Sequence, residues 1–122
     1  MGIIAVEGIR QKSPVGLHEK ERIKGNELMV DIYLYTKNKL TYSKLSDGFD
    51  YSLLHTSAIN AMKSPAFLLE EIIERISNNI KAHLLKHPAP DNFYNLVIRV
   101  SKLNPPLKGQ IDRTYVEESF EL

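Results

Sequence analysis

The sequence predicts an α+β fold in which two helices pack on one face of a four-stranded antiparallel sheet. Two segments near the amino end have the side-chain pattern of strands, two segments in the middle have helical spacing of apolar residues, and two more strand-like segments close the chain. A single sheet with both helices on one face would bury all of these apolar rows.

The amino-terminal third supplies two strands joined by a polar loop. Residues 3–9 are rich in β-branched side chains and predict a strand, which the sequence Ser-Pro-Val-Gly at 13–16 brings to an end. A polar loop is expected from there to Gly25. Residues 28–35 predict the clearest strand, and both of its side-chain rows are largely apolar or aromatic. Because a sheet covered on only one face alternates more cleanly, the second face is expected to be covered too, with another subunit as a candidate.

Two helices are predicted in the middle of the chain. A polar stretch at 36–48 leads to the first helix, expected from about Asp50 to Met62. Ser64 and Pro65 have the pattern of a helix cap followed by proline at the first helical position, so the second helix is expected to start there. It is expected to end near residues 86–87, before two prolines. Its apolar residues recur three and four apart, as Leu69, Ile72, Ile73, Ile76, Ile80 and Leu84.

Two further strands are predicted after this helix. Leu96, Ile98 and Val100 alternate at period two and mark a third strand, which the sequence Asn-Pro-Pro at 104–106 closes. Residues 115–122 predict a fourth strand. The order is strand, strand, helix, helix, strand, strand, with no internal repeat or linker, so residues 1–122 are expected to form one domain.

Composition narrows the classes of function. The 16 basic and 15 acidic residues give a net charge of +1, without the basic excess expected of a nucleic-acid-binding surface. With no cysteine, the chain has no disulfide, thiolate nucleophile or zinc–thiolate site. The four histidines form no His-x-His or His-Glu-x-x-His pattern. The amino end lacks a signal peptide and no apolar run would span a membrane, so a cytoplasmic protein without membrane or nucleic-acid partners is expected.

Four local patterns follow one another along the chain. Glu21 precedes Gly25 by four residues; Asp-Gly-Phe-Asp-Tyr stands at 47–51, Phe-Leu-Leu-Glu at 67–70, and Lys-Leu-Asn-Pro-Pro-Leu at 102–107. In this order and spacing, from residue 8 to residue 116, they resemble the dihydroneopterin aldolase family. Residues 12–16 and Asn26, where the family commonly has glutamine, depart from its usual pattern.

The resemblance implies the tunnelling fold, in which four subunits close their sheets into a ring and two rings commonly stack into an octamer. It also implies an enzyme of folate biosynthesis that cleaves dihydroneopterin, a reduced pterin, to hydroxymethyl-dihydropterin and glycolaldehyde, with epimerisation as a side activity. Because the ring imine of such a substrate can accept the electrons released by retro-aldol cleavage, neither a metal nor a bound cofactor is expected.

The resemblance assigns catalytic roles to three residues and the ring anchor to a fourth. Glu70 would accept hydrogen bonds from the amino group and neighbouring N–H of the pterin. Lys102 would exchange protons, through water, as a partly desolvated lysine at the end of the third strand. Tyr51 would help to protonate the intermediate, and Glu21 would bind the side-chain hydroxyls. Without the resemblance, each has an ordinary interpretation as a solvated charge or a half-buried tyrosine.

Three further residues, Leu69, Asp50 and His18, are expected to contribute to substrate binding.

Two alternative functions stay open. A dihydroneopterin-triphosphate epimerase would share the pterin anchor but would also need a basic cluster, for which Arg10, Lys12 and Lys24 are candidates. A non-enzymatic assembly module would keep the ring of subunits and ignore pterins.

Overall fold

A computed structural model describes residues 1–38 and 48–122. In chain order, its elements are β1 (Gly2–Ser13), α1 (Glu19–Lys24), β2 (Asn26–Thr36), α2 (Ser52–Lys63), α3 (Leu69–Leu84), a 3-10 turn (Pro90–Asn92), β3 (Phe93–Lys102) and β4 (Thr114–Glu121). The strands form one sheet in the order β1-β2-β3-β4, and every neighbouring pair is antiparallel. The predicted fold class is therefore confirmed.

The core lies between one face of the sheet and the two longer helices. Four residues of β2 point to this face and are fully buried: Leu28, Val30, Ile32 and Leu34. Three of them pair with a buried row of β3, which consists of Leu96, Ile98 and Val100. The apolar stripe of α3 covers them, as its helical spacing predicts. Since both helices pack against one face, the opposite face is left without a helix.

The opposite face of the sheet carries polar contacts among its apolar and aromatic side chains. Asp31 is only 6% exposed, and its Oδ1 accepts a hydrogen bond of 2.7 Å from the backbone N–H of Gly8. Gly8 has a φ of 75° where a bulge interrupts the pairing of β1 with β2, so the carboxylate satisfies a donor that the bulge removes from the ladder. Across the sheet, Arg99 pairs with Glu117 at 2.9 Å. The expectation that another subunit covers this face remains a prediction.

Two local expectations were wrong. The loop between the first two strands contains a helix, α1, whereas β1 ends at Ser13, where the sequence Ser-Pro-Val-Gly is expected to stop it. The second long helix begins at Leu69, not at Pro65, because residues before it are extended: the N–H of Ala66 donates to Pro14 O at 3.2 Å, and the N–H of Gly16 donates to Ala66 O at 3.0 Å. The Ala66 carbonyl oxygen, which a helix would use to accept from the N–H four residues on, is bound to Gly16 instead.

The remaining boundaries differ by a few residues. α2 begins at Ser52, and α3 ends at Leu84 before the turns that precede Pro88. Most of the polar stretch at 36–48, including Asp47 of the second family-like pattern, lies outside the described residues. None of the helices in the described parts of the chain is long and apolar enough to cross a membrane.

Candidate functional site

A cleft of about 300 Å³ opens at one end of the sheet, where β3 ends beside the first turns of α1 and α3. Four of the residues predicted for the site lie together in its lining: Glu21, Leu69, Glu70 and Lys102. They come from α1, α3 and β3, which are distant in sequence, so the fold brings them together. Apolar groups of the loop after β1 and of the segment before α3 complete the lining.

Lys102 occupies the last position of β3 on the helix-covered face. It is in register with Leu28, so it shares the side of the sheet on which the core row lies. Its side chain is 19% exposed, and Nζ lies 3.7 Å from Oε2 of Glu21. A lysine that is largely withdrawn from water and faces a carboxylate is suited to moving protons within the cleft.

The position of Glu21 depends on a close approach between α1 and the loop after β1. A Cβ on Gly16 would lie 2.5 Å from the Cβ of Glu21, so any larger residue at position 16 would displace the helix. At the other end of α1, Gly25 has a φ of 80° and donates its N–H to Glu21 O at 2.7 Å. The two glycines thus allow the turn that carries this carboxylate into the cleft.

The loop after β1 is fixed by contacts on both sides. Asn26, which departs from the family's usual glutamine, donates from Nδ2 to Val15 O at 2.6 Å. Val15 is buried and forms a parallel bridge with Ala66. Ser13 donates from Oγ to Met62 O at 2.7 Å. The loop therefore stays bound to the segment between α2 and α3, which forms the facing wall of the cleft.

Glu70 and Glu71 are neighbours in the first turn of α3 but differ in their contacts. Glu71 accepts a hydrogen bond of 3.3 Å from the N–H of Phe67 and lies 4.0 Å from Arg75. Glu70 lines the cleft, and neither of these interactions involves it. The amino end of a helix also favours a carboxylate at this position. Of the two, Glu70 is the carboxylate available to a ligand.

Arg75 is a structural residue behind the cleft. Its Nη1 donates to Ala61 O at 3.0 Å and Ser64 O at 2.9 Å, and its Nη2 donates to Pro65 O at 2.6 Å. These carbonyls lie in the last turn of α2 and just after it, where a helix leaves acceptors without intrahelical donors. Arg75 thereby joins the end of α2 to α3.

The other three predicted residues lie outside the lining of this cleft. Tyr51 precedes α2 and is 66% exposed. Asp50 accepts a hydrogen bond of 2.9 Å from the N–H of Ser52. Hydrogen bonds with Ser52 lower the pKa of Asp50, so this carboxylate acts as a cap at the start of α2. His18 is exposed and precedes α1 without a side-chain capping bond.

Tyr51 and Lys102 belong to opposite ends of the same subunit. Phe49, two residues before Tyr51, packs edge-on against Phe93 at the start of β3, with ring centroids 5.7 Å apart. Lys102 lies at the other end of that strand. At about 3.3 Å per residue, the ends of β3 are roughly 30 Å apart. One subunit alone cannot bring Tyr51 to Lys102.

Sequence reasoning missed Phe67, which lines the cleft, and Arg22, whose guanidinium lies over the Phe67 ring from outside the lining. Arg22 follows Glu21 in a run of charges that is typical of a solvated loop, so its sequence context gives no signal. Phe67 is part of the third family-like pattern, and an aromatic residue three positions before Glu70 is the available signal. The basic residues considered for a triphosphate, Arg10, Lys12 and Lys24, are not part of the cleft lining.

In a chain without cysteine, the carboxylates and histidines are the side chains that could hold a metal ion. Within residues 1–38 and 48–122, no three such side chains are grouped so that they could hold a metal ion. The titratable side chains of the cleft lining are the carboxylates of Glu21 and Glu70 and the amine of Lys102.

Comparison with protein families gives a match over nearly the whole chain. Residues 4–119 match the family model described as FolB: Dihydroneopterin aldolase. No curated protein sequence is similar enough to count as a relative. The span from 4 to 119 contains the positions of all four family-like patterns and of every residue predicted for the site.

Solved structures share the fold at low sequence identity. A FolB protein from Vibrio cholerae superimposes with a TM-score of 0.81, at 17% identity, over 100% of this chain and 98% of its own. Escherichia coli dihydroneopterin aldolase in complex with neopterin superimposes with a TM-score of 0.79 at 17% identity, and the alignment covers 98% of this chain and 99% of the Escherichia coli chain. A Burkholderia dihydroneopterin aldolase bound to guanine superimposes with a TM-score of 0.73 at 17% identity, and the alignment covers 99% of this chain and 91% of the Burkholderia chain.

Proposed function

Because the chain belongs to the FolB dihydroneopterin aldolase family, we propose that it cleaves dihydroneopterin to hydroxymethyl-dihydropterin and glycolaldehyde in the cytoplasm, as a step of folate biosynthesis. The observation that carries this proposal is the meeting of Glu21, Glu70 and Lys102 in one cleft, with Lys102 Nζ 3.7 Å from the Glu21 carboxylate. Three elements that are distant in the sequence supply these residues.

Glu70 anchors the pterin ring in this proposal. A carboxylate can accept two hydrogen bonds from an amino group and an adjacent ring N–H. The ligands named for two similar structures, neopterin and guanine, both present this pair of donors. The position of Glu70 in the lining, next to a Glu71 that is bound to Phe67 and Arg75, supports this role. Leu69 contributes an apolar surface beside it.

Glu21 and Lys102 handle the substrate side chain. Glu21 accepts hydrogen bonds from its hydroxyls, and Lys102, acting through a water molecule, takes the proton from the hydroxyl on the second side-chain carbon. The bond between the first and second carbons then breaks. Its electrons enter the ring imine to form an enamine, and the second and third carbons leave as glycolaldehyde. Protonation of the remaining carbon restores the imine, so the reaction needs no net oxidation or reduction.

The proton donor for this last step is Tyr51 of a neighbouring subunit. The roughly 30 Å between the ends of β3 separates Tyr51 from Lys102 within one chain, and Asp50, which adjoins Tyr51 in the sequence, also lies outside the lining. A site between subunits would bring them to the cleft. The edge strands β1 and β4 can pair with further copies to close a ring of four, and two rings would give an octamer.

The adjacent glutamates provide the test. We expect Glu70→Gln to raise the Kd for neopterin at least about tenfold, because an amide cannot accept both hydrogen bonds with full charge assistance. Glu71→Gln is the matched control and should bind neopterin like the wild type. Isothermal titration of both variants measures the difference. Equal binding by Glu70→Gln and wild type would contradict the proposed anchor, and no binding by the wild type would favour an assembly module without pterin chemistry.

A further inference from the structure

We infer that Arg22 is a positioning residue that holds the ring of Phe67 and the loop at 16–17 as one wall of the pterin cleft. The inference rests on the proposed function and adds a determinant of substrate affinity to the same site. Arg22 lies on α1 next to Glu21, and Phe67 immediately precedes the turn that carries Glu70. The pair therefore connects the two elements that supply the carboxylates.

The contacts of Arg22 reach both sides of the cleft. Its Nη1 donates to Gly16 O at 2.8 Å and to Leu17 O at 3.0 Å. Its guanidinium carbon lies 4.7 Å from the centroid of the Phe67 ring, within the range of a cation–π interaction. Gly16, Leu17 and Phe67 all line the cleft. One side chain thus fixes three parts of the wall while it stays outside the cavity.

The ring of Phe67 has the exposure expected of a binding surface. It is 57% exposed although it borders the cleft, and its backbone N–H is held by Glu71. The Arg22 guanidinium covers one part of the Phe67 ring. The rest of the ring surface can pack against a flat ligand. Burying such an aromatic surface against a pterin would stabilise the complex and leave the free subunit unchanged.

The stability of α1 alone does not explain this arrangement. α1 has six residues, buries none of them and has no side-chain cap at its amino end. An isolated helix of this length is not stable in water, so its position depends on contacts such as those of Arg22. Loss of Arg22 should therefore loosen Glu21, the loop and the Phe67 ring together, with its main effect on ligand affinity.

The test is a double-mutant cycle on the pair, with neopterin as the probe. We expect Arg22→Met and Phe67→Leu each to raise the Kd for neopterin about fivefold, because each removes about one cation–π contact. The double variant should be no weaker than the weaker single variant, because each change removes the same wall. Arg22→Lys keeps the charge near the ring and should restore part of the affinity. Dihydroneopterin turnover should show a raised KM with kcat changed less.

The matched control is Lys81→Met, which removes a cation 4.6 Å from the ring of Phe120, and it should leave the Kd unchanged. Wild-type binding together with unchanged affinity in Arg22→Met and Phe67→Leu would overturn the inference and leave the proposed function intact. Fully additive effects would also overturn it. Failure of the wild type to bind neopterin would overturn both. Because Phe67→Leu leaves α1 untouched, it tests the wall even if Arg22→Met does not fold.

Discussion

Activity should return when two inactive variants, Lys102→Ala and Tyr51→Phe, are refolded together. Lys102 lies at the end of β3, whereas Tyr51 lies near the start of that strand, so in the proposed mechanism each site takes the two residues from different subunits. Each subunit of the mixed oligomer keeps one of the two residues. A site that pairs the Lys102 of one variant with the Tyr51 of the other is complete.

The expected yield follows from random assembly. In a one-to-one mixture, a site has an even chance of an intact Lys102 and an independent even chance of an intact Tyr51 from its neighbour. About a quarter of the sites should therefore be complete, and the activity should approach about a quarter of the wild-type value. Release of hydroxymethyl-dihydropterin, followed by chromatography, gives the activity per subunit.

A second mixture controls for nonspecific recovery. Lys102 and Glu70 line the same cleft of one subunit. Co-refolding Lys102→Ala with Glu70→Gln should therefore produce no complete site and no rescue. If the first mixture stays at the sum of its parents while forming mixed oligomers, the assignment of Tyr51 to a neighbouring subunit is wrong. If both mixtures recover equally, the recovery does not come from shared sites.

Two further predictions concern stability and pH. Arg75→Met removes three hydrogen bonds to carbonyls at the end of α2. The free energy of unfolding should therefore fall by about 2 kcal/mol, and the thermal midpoint by roughly 6–10 °C. Calorimetry at fixed protein concentration measures both. A hydrogen bond to Glu7 raises the pKa of Tyr33 to about 12 from 10.0. The folded protein therefore holds this proton more tightly than the unfolded chain, and the resulting stability is complete below pH 10.0 and is lost as the pH rises through about 12. Ultraviolet titration of Glu7→Gln should show this tyrosine ionising at lower pH, and an unchanged titration would contradict the assignment.

The sheet and the two long helices could be predicted because their side-chain periods are unambiguous. The alternating row of β2 and the three–four spacing of α3 each bury a continuous apolar surface, and local pattern determines such surfaces. Lys102 lies two residues after Val100 in the same strand, so the sequence also predicts on which side of the sheet its side chain lies. These features depend on residues that are close together in the sequence.

The missed features depend on contacts between distant segments. Ser64 and Pro65 have the local chemistry of a helix start, yet the pairing of Ala66 with Pro14 and Gly16 keeps this segment extended. Tertiary hydrogen bonds outweigh a capping preference of about 1 kcal/mol. For the same reason, the charged residues of α1 do not reveal that one of them reaches across to an aromatic ring.

The most direct test of the central claim is chromatography of dihydroneopterin incubated with the pure protein in excess EDTA, beside Lys102→Ala. A matched lysine variant, Lys63→Ala, changes an exposed residue at the end of α2 outside the cleft lining. We predict that the wild type and Lys63→Ala release hydroxymethyl-dihydropterin and glycolaldehyde, and that Lys102→Ala releases neither. No cleavage by the wild type, or full cleavage by Lys102→Ala, would contradict the proposed aldolase site, and isomerisation of the triphosphate form alone would indicate an epimerase instead.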